Sequence, residues 1–485
     1  MSTQADVEVV IVGAGMSGLA AAASLQRAGI SFAILEATGA IGGTWAANTY
    51  PGCACDIPSH LYGFSFAPNP GWSKVWADQP EILAYLESVV DQRGLREHIR
   101  FHATLQRATF DAEAATWVVE AAGSTLRARF VIGATGPLRV PKLPQISGLG
   151  DFEGPSMHSA RWDDRVALDG KRVGIVGSAA SAVQIVPRLA PRVARLSVFQ
   201  RTPNYVIPKP NRRYTPLEQW AMRSVPGYWR LVRGYQFWRH ELRFHAAFTP
   251  GRPSAKLVEA LLRREARRQV TDPVLREKVV PSYRVGCKRV LLESGYYAAL
   301  GRDSVELVDA SIERIDAAGV VTAAGRHDLD VLIYATGFDV WDTSLAATIV
   351  NADGATLEDA IGEAPAAWMG LAYPGFPNFF TLLGPNTGLG HNSVVLMAEA
   401  QADYIARLIR AAARAGRPSL AIRQDVADAY NAGVQQRMQA RVWVKGGCVS
   451  WYQHADMTIR SLWPDSVSAW RRALRRVELG DYDST

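Results

Sequence analysis

Twice in this chain a short, unbroken aliphatic run ends at a glycine and opens into a helix, and that repeated unit limits the possible folds more than any other feature. The first run is Val9-Val-Ile-Val12, followed by Gly13-Ala-Gly15-Met-Ser-Gly18 and an alanine-rich stretch that reaches Ala28. Four consecutive aliphatic residues suit a strand covered on both faces, as in a parallel sheet flanked by helices. Gly13 allows the tight turn, Gly15 lets the backbone approach a pyrophosphate, and Gly18 permits close packing of helix on strand. The free N–H groups of the helix start then face the phosphates. A second strand, Phe32-Ala-Ile-Leu35, ends in Glu36, whose carboxylate is placed to accept ribose hydroxyls.

The second unit is Arg172-Val-Gly-Ile-Val176, then Gly177-Ser-Ala179-Ala-Ser181-Ala182 and a helix through Gln184. Gly177 keeps the turn, but Ala179 and Ala182 stand where glycines are usual. The added methyl at Ala179 is expected to move the backbone slightly away from a phosphate. Ser178, Ser181 and Gln184 belong to this turn and helix and are candidate cofactor contacts. The following strand, Leu196–Phe199, ends in Gln200-Arg201-Thr202-Pro203. Where the first unit has an acid, this one has Arg201, which can bind a 2′-phosphate that an acid would repel. The coenzyme expected at the second site is therefore NADPH, with Thr202 beside it.

Two such units need separate cores, and 485 residues suffice for two or three domains. The expected fold is α/β, with two Rossmann-like dinucleotide-binding domains and a helical insertion. Hydrophobic content of 48% and charged content of 20% are ordinary for a globular chain. The net charge of +7 needs no nucleic acid to explain it, because two dinucleotides bring several phosphates. The start of the chain lacks the basic segment of a signal peptide. The apolar run from Val7 to Leu25 carries Glu8 and three glycines, so it reads as strand, turn and helix rather than a membrane span. Four cysteines make no disulfide framework, and reduced thiols in the cytoplasm are the expectation. Cys53 and Cys55 form a C-x-C pair. Neither a redox pair nor a metal site is supported by that spacing alone, and buried free thiols are expected.

Between the two units lies Phe152-Glu-Gly154-Pro-Ser-Met-His158-Ser-Ala-Arg-Trp162-Asp163, of the form F-x-G-x-x-x-H-x-x-x-W-D. The first unit is followed by Gly42-Gly43-Thr44-Trp45, then Tyr50-Pro-Gly52 and Asp56. Strands ending in Ala134-Thr-Gly136 and Ala335-Thr-Gly337 mark two crossings between domains. These motifs resemble those of Baeyer–Villiger monooxygenases, the class B flavoprotein monooxygenases, over nearly the whole chain.

The resemblance implies FAD at the first site and NADPH with O₂ as co-substrates. Ketones would become esters or lactones through a flavin C4a-peroxide; the alternative is a flavin-containing monooxygenase that oxidises nitrogen or sulfur. It places Gly43, Thr44, Trp45 and Tyr62 along FAD, and Asp56 beside both the nicotinamide and an active-site arginine. Gly286-Cys-Lys288-Arg289 matches the segment in which Lys288 meets the 2′-phosphate and Arg289 is catalytic. A fixed guanidinium suits that chemistry, since it stabilises an anion without readily giving up a proton. His158 is implied to couple domain movement to catalysis, and Trp451, in Ser450-Trp451-Tyr452, to close over the nicotinamide ribose. Residues 455–464 depart from the commonest pattern in a segment that walls the substrate pocket.

The domains expected are 1–150 and 345–485 for FAD, 151–210 and 286–344 for NADPH, and 211–285 as the insertion. In the insertion Trp220, Tyr228, Trp229, Tyr235, Phe237, Trp238, Phe244 and Phe248 interleave with Arg223, Arg230, Arg233, Arg239 and Arg243. A core side and a solvated side are expected there, rather than a membrane or nucleic-acid surface. His391, in Gly390-His391-Asn392, is expected to be a hydrogen-bonded structural histidine. No metal site and no stable membrane insertion are expected.

Overall fold

The computed structural model describes residues 5–247, 250, 253–454 and 456–484. Phe248 and Ala455 lie outside the described residues, as do the side chains of Arg243 and Phe244.

Strand β1 (Val7–Val12) is buried on both faces, as its unbroken aliphatic run requires. Val9 and Ile11 enter one core cluster while Val10 and Val12 enter another on the opposite side. It pairs in parallel with β2 (Phe32–Leu35), which pairs with β3 (Ile99–Arg100). Strands β4 (Leu105–Asp111), β5 (Thr116–Ala121) and β6 (Ser124–Gly133) form an antiparallel meander, and β6 returns parallel to β1. Helix α1 (Met16–Ala28) closes one face and ends at Gly29 in the left-handed conformation, φ 69°.

The second sheet repeats the plan. Strands β7 (Ser156–His158), β8 (Arg172–Val176), β9 (Arg195–Phe199), β10 (Val305–Val308) and β11 (Val331–Tyr334) are all parallel, in the order β10-β9-β8-β11-β7. Helix α2 (Ala180–Leu189) follows β8 as α1 follows β1. A three-stranded antiparallel ribbon, residues 312–328, mirrors the β4–β6 meander. The fold is thus α/β with two Rossmann-like units.

Between β9 and β10 the described residues of the insertion form the helices α3 (Pro216–Ser224), α4 (Tyr228–Ala247), α5 (Pro253–Gln269) and α6 (Pro273–Val279). Their starts are written locally. Thr215 and Glu218 form a capping box, and Asp272 accepts from the amides of Val274 and Leu275. After β11 the chain returns to the first unit. Strand β12 (Phe379–Thr381) joins the first sheet beside β6, and helix α7 (Val394–Arg414) packs on α1, with Ser24 donating to Asp403 at 2.7 Å.

Two expectations are corrected. The four cysteines are not all free thiols: Cys287 and Cys448, 161 residues apart, form a disulfide. Spacing along the chain carries no sign of this pair, because only tertiary folding brings the two loops together. The insertion also lacks a purely polar outer side. Leu231, Tyr235, Trp238 and Leu242 of α4 all face solvent, because Arg233 and Glu241 on the inner side are fastened to fixed partners.

Candidate active site

The first glycine turn behaves as its motif requires. Gly13 has φ 109°, and a Cβ there would lie 2.8 Å from the Ala134 carbonyl oxygen. A Cβ on Gly18 would fall 1.9 Å from the Gly13 carbonyl oxygen, so only glycine lets α1 approach this closely. Gly43, at φ 54°, faces Gly15 so nearly that a Cβ on it would meet the Gly15 Cα at 3.1 Å. The two backbones line a cleft at the N-terminus of α1 with no side chain between them, which fits a pyrophosphate. Glu36 at the end of β2 holds the loop: its carboxylate accepts from the Ala14 amide at 2.9 Å and from the Thr38 amide and hydroxyl at 2.9 and 2.8 Å. Thr44 opens a short helix, Thr44–Ala47, that carries Trp45 inward. The Trp45 indole donates to the Tyr62 hydroxyl at 3.0 Å, joining two residues singled out separately in the sequence.

The second turn resolves the question raised by its alanines. Gly177 has φ 115°, and a Cβ there would meet the Ala335 carbonyl oxygen at 2.4 Å. Ala179 sits at φ −87° and ψ −160°, close to the −80° and −174° of Gly15. That is ordinary extended backbone, so alanine is unstrained there. Ala182, in the first turn of α2, is fully buried. The Ser178 hydroxyl donates to the Thr202 carbonyl at 3.2 Å, tying the turn to the strand end that bears Arg201. Ser181 lies within reach of the Tyr50 hydroxyl. Gln184 uses both ends of its amide on protein: it accepts from Tyr50 at 2.9 Å and donates to the Ala54 carbonyl at 2.9 Å. It therefore clamps α2 to the segment leading to Asp56.

Arg201 and Lys288, 87 positions apart in the chain, lie near enough for their charges to interact. Burial, and then the Arg201 charge, push the Lys288 pKa down. The Lys288 ammonium lies over the Tyr283 ring at 5.3 Å, and neither cation has an ion-pair partner among the described residues. Two like charges held together without an acid fit a phosphate dianion.

Arg289 points the other way. Its Nε and Nη2 donate to the two carboxylate oxygens of Asp56 at 2.7 and 2.8 Å, a two-pronged pair spanning 233 residues. The Arg289 side chain is 40% exposed, so the paired guanidinium stays open to a bound molecule. Burial would raise the Asp56 pKa, but Arg289 outweighs that effect and holds it below the usual carboxylate range. Asp56 in turn raises the Arg289 pKa further, so the guanidinium is permanently charged.

Two groups at this pair were not among the candidate site residues. Tyr452 is buried and interacts with Arg289, whereas its motif neighbour Trp451 is half-exposed with its ring 4.5 Å from that of Tyr452. Lys209 is 8% exposed and faces Asp56 and Cys55, with burial lowering its pKa. Its position two residues beyond the strand pair Val206–Ile207 with Leu291–Leu292 is visible only in the fold.

The fingerprint residues play a different part. Phe152 folds onto Gly154, where a Cβ would come within 2.6 Å of its ring. His158 ends the edge strand β7, opposite Tyr334, with its ring edge-on to Phe338 at 6.0 Å and its Nδ1 accepting from the Ala160 amide. Trp162 is partly buried at the end of the turn that follows, and Asp163 pairs with Arg165. His158 sits at the crossing between the two units, beside Ala335–Gly337.

Other candidates are structural. His391 Nε2 lies 3.4 Å from Glu241, and both side chains are buried. Burial would raise the Glu241 pKa, but bonds from His391, Ser468 and Asn392 bring it down to about 2. Cys53 and Cys55 are free and buried, and burial pushes their thiols up to about 11 and about 12. Such thiols are inert, which argues against a disulfide-reductase reaction at this pair. No cluster of metal-binding side chains occurs among the described residues.

The sequence model of the pyridine nucleotide-disulphide oxidoreductase family matches residues 10–222. A Baeyer-Villiger monooxygenase of Streptomyces coelicolor is 43% identical over 98% of this chain and 92% of its own length. One from Pseudomonas aeruginosa is 38% identical over 99% of this chain and 91% of its own. Among solved structures, OTEMO in complex with FAD and NADP superposes with a TM-score of 0.90 at 29% identity, covering 99% of each chain. A glycine cradle, an unpaired cation pair and an arginine held by an aspartate are thus set in a sequence alike from end to end, and the chain belongs to the Baeyer–Villiger monooxygenase family.

Proposed function

We propose that this chain is an NADPH- and O₂-dependent FAD monooxygenase that inserts an oxygen atom beside a ketone carbonyl, giving an ester or lactone. The observation that carries this reading is the two-pronged Arg289–Asp56 pair, its guanidinium partly exposed, in a chain that also carries two nucleotide cradles. FAD, reduced by NADPH, supplies the dioxygen-activating chemistry. The cleft between Gly15 and Gly43, with Glu36, Trp45 and Tyr62, would hold FAD, and the turn at Gly177 with Arg201 and Lys288 would hold NADPH. On this assignment residues 1–150 and 345–485 serve FAD, 151–210 and 286–344 serve NADPH, and 211–285 form the insertion.

Arg289 supplies a fixed positive charge where negative charge develops on oxygen, and it cannot quench that charge by proton transfer. Asp56 sets the plane of the guanidinium, and the Lys209 charge also favours the ionised carboxylate. Tyr452 borders Arg289 from the C-terminal loop, with the Trp451 ring beside it. His158 transmits movement between the two units instead of touching substrate. NADPH and a ketone suit a cytoplasmic enzyme; the Cys287 half of the disulfide is fully buried and so shielded from reductants.

Purified protein supplied with NADPH, air and a panel of cyclic, aryl and linear ketones should form esters, read by mass spectrometry. Sulfoxides or N-oxides as the only products would overturn the reading.

A further inference from the structure

Helix α4 carries a surface that the reaction does not use. Leu231, Tyr235, Trp238 and Leu242 recur at helical spacing on one side of it and are 73%, 66%, 53% and 68% exposed. The opposite side is fastened by polar contacts. Arg233 donates to the carbonyls of His60 and Gly63 at 2.8 and 2.6 Å. Glu241 accepts from Asn392 at 3.1 Å and from the Ser468 amide at 2.7 Å. Rotating the helix to hide its apolar side would break these buried bonds, so the stripe is held outward. The neighbouring helices α3 and α5, both in contact with α4, also leave Leu217, Trp220, Leu257 and Leu261 exposed. Apolar exposure gathered in this way marks a contact surface.

Charge selects the occupant. Arg223, Arg230, Lys256, Arg264 and Arg267 on the same three helices are exposed and have no ion-pair partner among the described residues. The acids there are committed: Glu218 to Arg212, Glu259 to Arg263, Glu265 to Arg268, and Glu241 inside. A second copy would set this cationic face against its own like charge. An anionic lipid surface offers opposite charge and apolar depth together, and Tyr and Trp suit the boundary between the two. Among the described residues no helix is long and apolar enough to cross a membrane, so the contact is peripheral.

We propose that the outer face of α4, with its arginine rim, is a docking site for an anionic bilayer surface. The full chain is spun down with vesicles of phosphatidylcholine alone, or of phosphatidylcholine mixed with phosphatidylglycerol. It should pellet with the mixed vesicles only, and high salt should release it. Each arginine near such a surface contributes roughly a fivefold change in partitioning. Arg223→Ser with Arg230→Ser should therefore weaken binding roughly thirtyfold. Tyr235→Ser with Trp238→Ser should abolish binding while ketone-dependent turnover in solution is retained. The proposal falls if wild-type protein ignores the mixed vesicles, or if the Tyr235→Ser, Trp238→Ser variant pellets like wild type. It also falls if those two changes instead dissolve a dimer seen by sedimentation in a protein that binds no vesicle, which would assign the stripe to self-association.

Discussion

Replacing Lys288 with alanine should separate the two nicotinamide coenzymes. The Lys288 ammonium is partly buried over Tyr283, near Arg201, with no acid to balance either charge. A bond between charged groups contributes about 1.5–3 kcal/mol. The variant should therefore raise KM for NADPH roughly tenfold to a hundredfold. NADH has no 2′-phosphate, so its kcat/KM should barely move. The variant should also melt no lower than wild type, because the change removes a repulsion with Arg201 rather than an attraction. The pH dependence has a definite sign. Burial and Arg201 depress the Lys288 pKa in the free enzyme, and a bound phosphate dianion would raise it again. NADPH affinity is then complete below the free-enzyme pKa and is lost as pH rises through the bound-state pKa. Steady-state kinetics with both coenzymes across the alkaline range, on wild type and variant, measure all of this. Equal losses with NADPH and NADH would refute the assignment of the cation pair to the 2′-phosphate.

Arg289→Ala should still let NADPH bleach the flavin under nitrogen, but should lower ester formation roughly a hundredfold to a thousandfold and release hydrogen peroxide instead; stopped-flow reduction and product yield on one preparation test it. Ala179→Gly should leave KM for NADPH unchanged within about twofold, since the backbone at Ala179 is already that of Gly15; a marked gain in affinity would show that the methyl does obstruct the phosphate. Cys448→Ser removes a link across 161 residues and should cost roughly 3–5 kcal/mol. Thiol titration of unfolded wild type without reductant should find two free cysteines, and four would contradict the bridge.

What could be read from the sequence was what local rules enforce. Val9–Val12 and Val173–Val176 had to be strands covered on both faces, because no half-exposed strand tolerates such runs. Gly13, Gly18 and Gly177 had to be glycine, and each has a carbonyl oxygen where a Cβ would stand. Arg289 and Asp56 were found by motif, and the structure brings them into a two-pronged bond. What escaped was set by distant closure. Lys209 reaches Asp56 only because Val206–Ile207 pairs with Leu291–Leu292. Tyr452 approaches Arg289 through a loop pinned by Cys448, and no spacing announces that Cys287 lies opposite. The α4 surface escaped for another reason. Aromatic residues occur on both sides of that helix, so periodicity alone did not tell the inner side from the outer. The polar anchors Arg233 and Glu241 decided it.

The central claim is that one atom of dioxygen is inserted next to a ketone carbonyl beside Arg289. Turnover of a ketone that the enzyme accepts, under heavy-isotope dioxygen with NADPH, tests it most directly by mass spectrometry of the product. The account predicts an ester carrying a single heavy oxygen, formed in step with NADPH consumed. Unlabelled ester, or NADPH consumed with hydrogen peroxide as the sole oxygen product across the ketone panel, would contradict it.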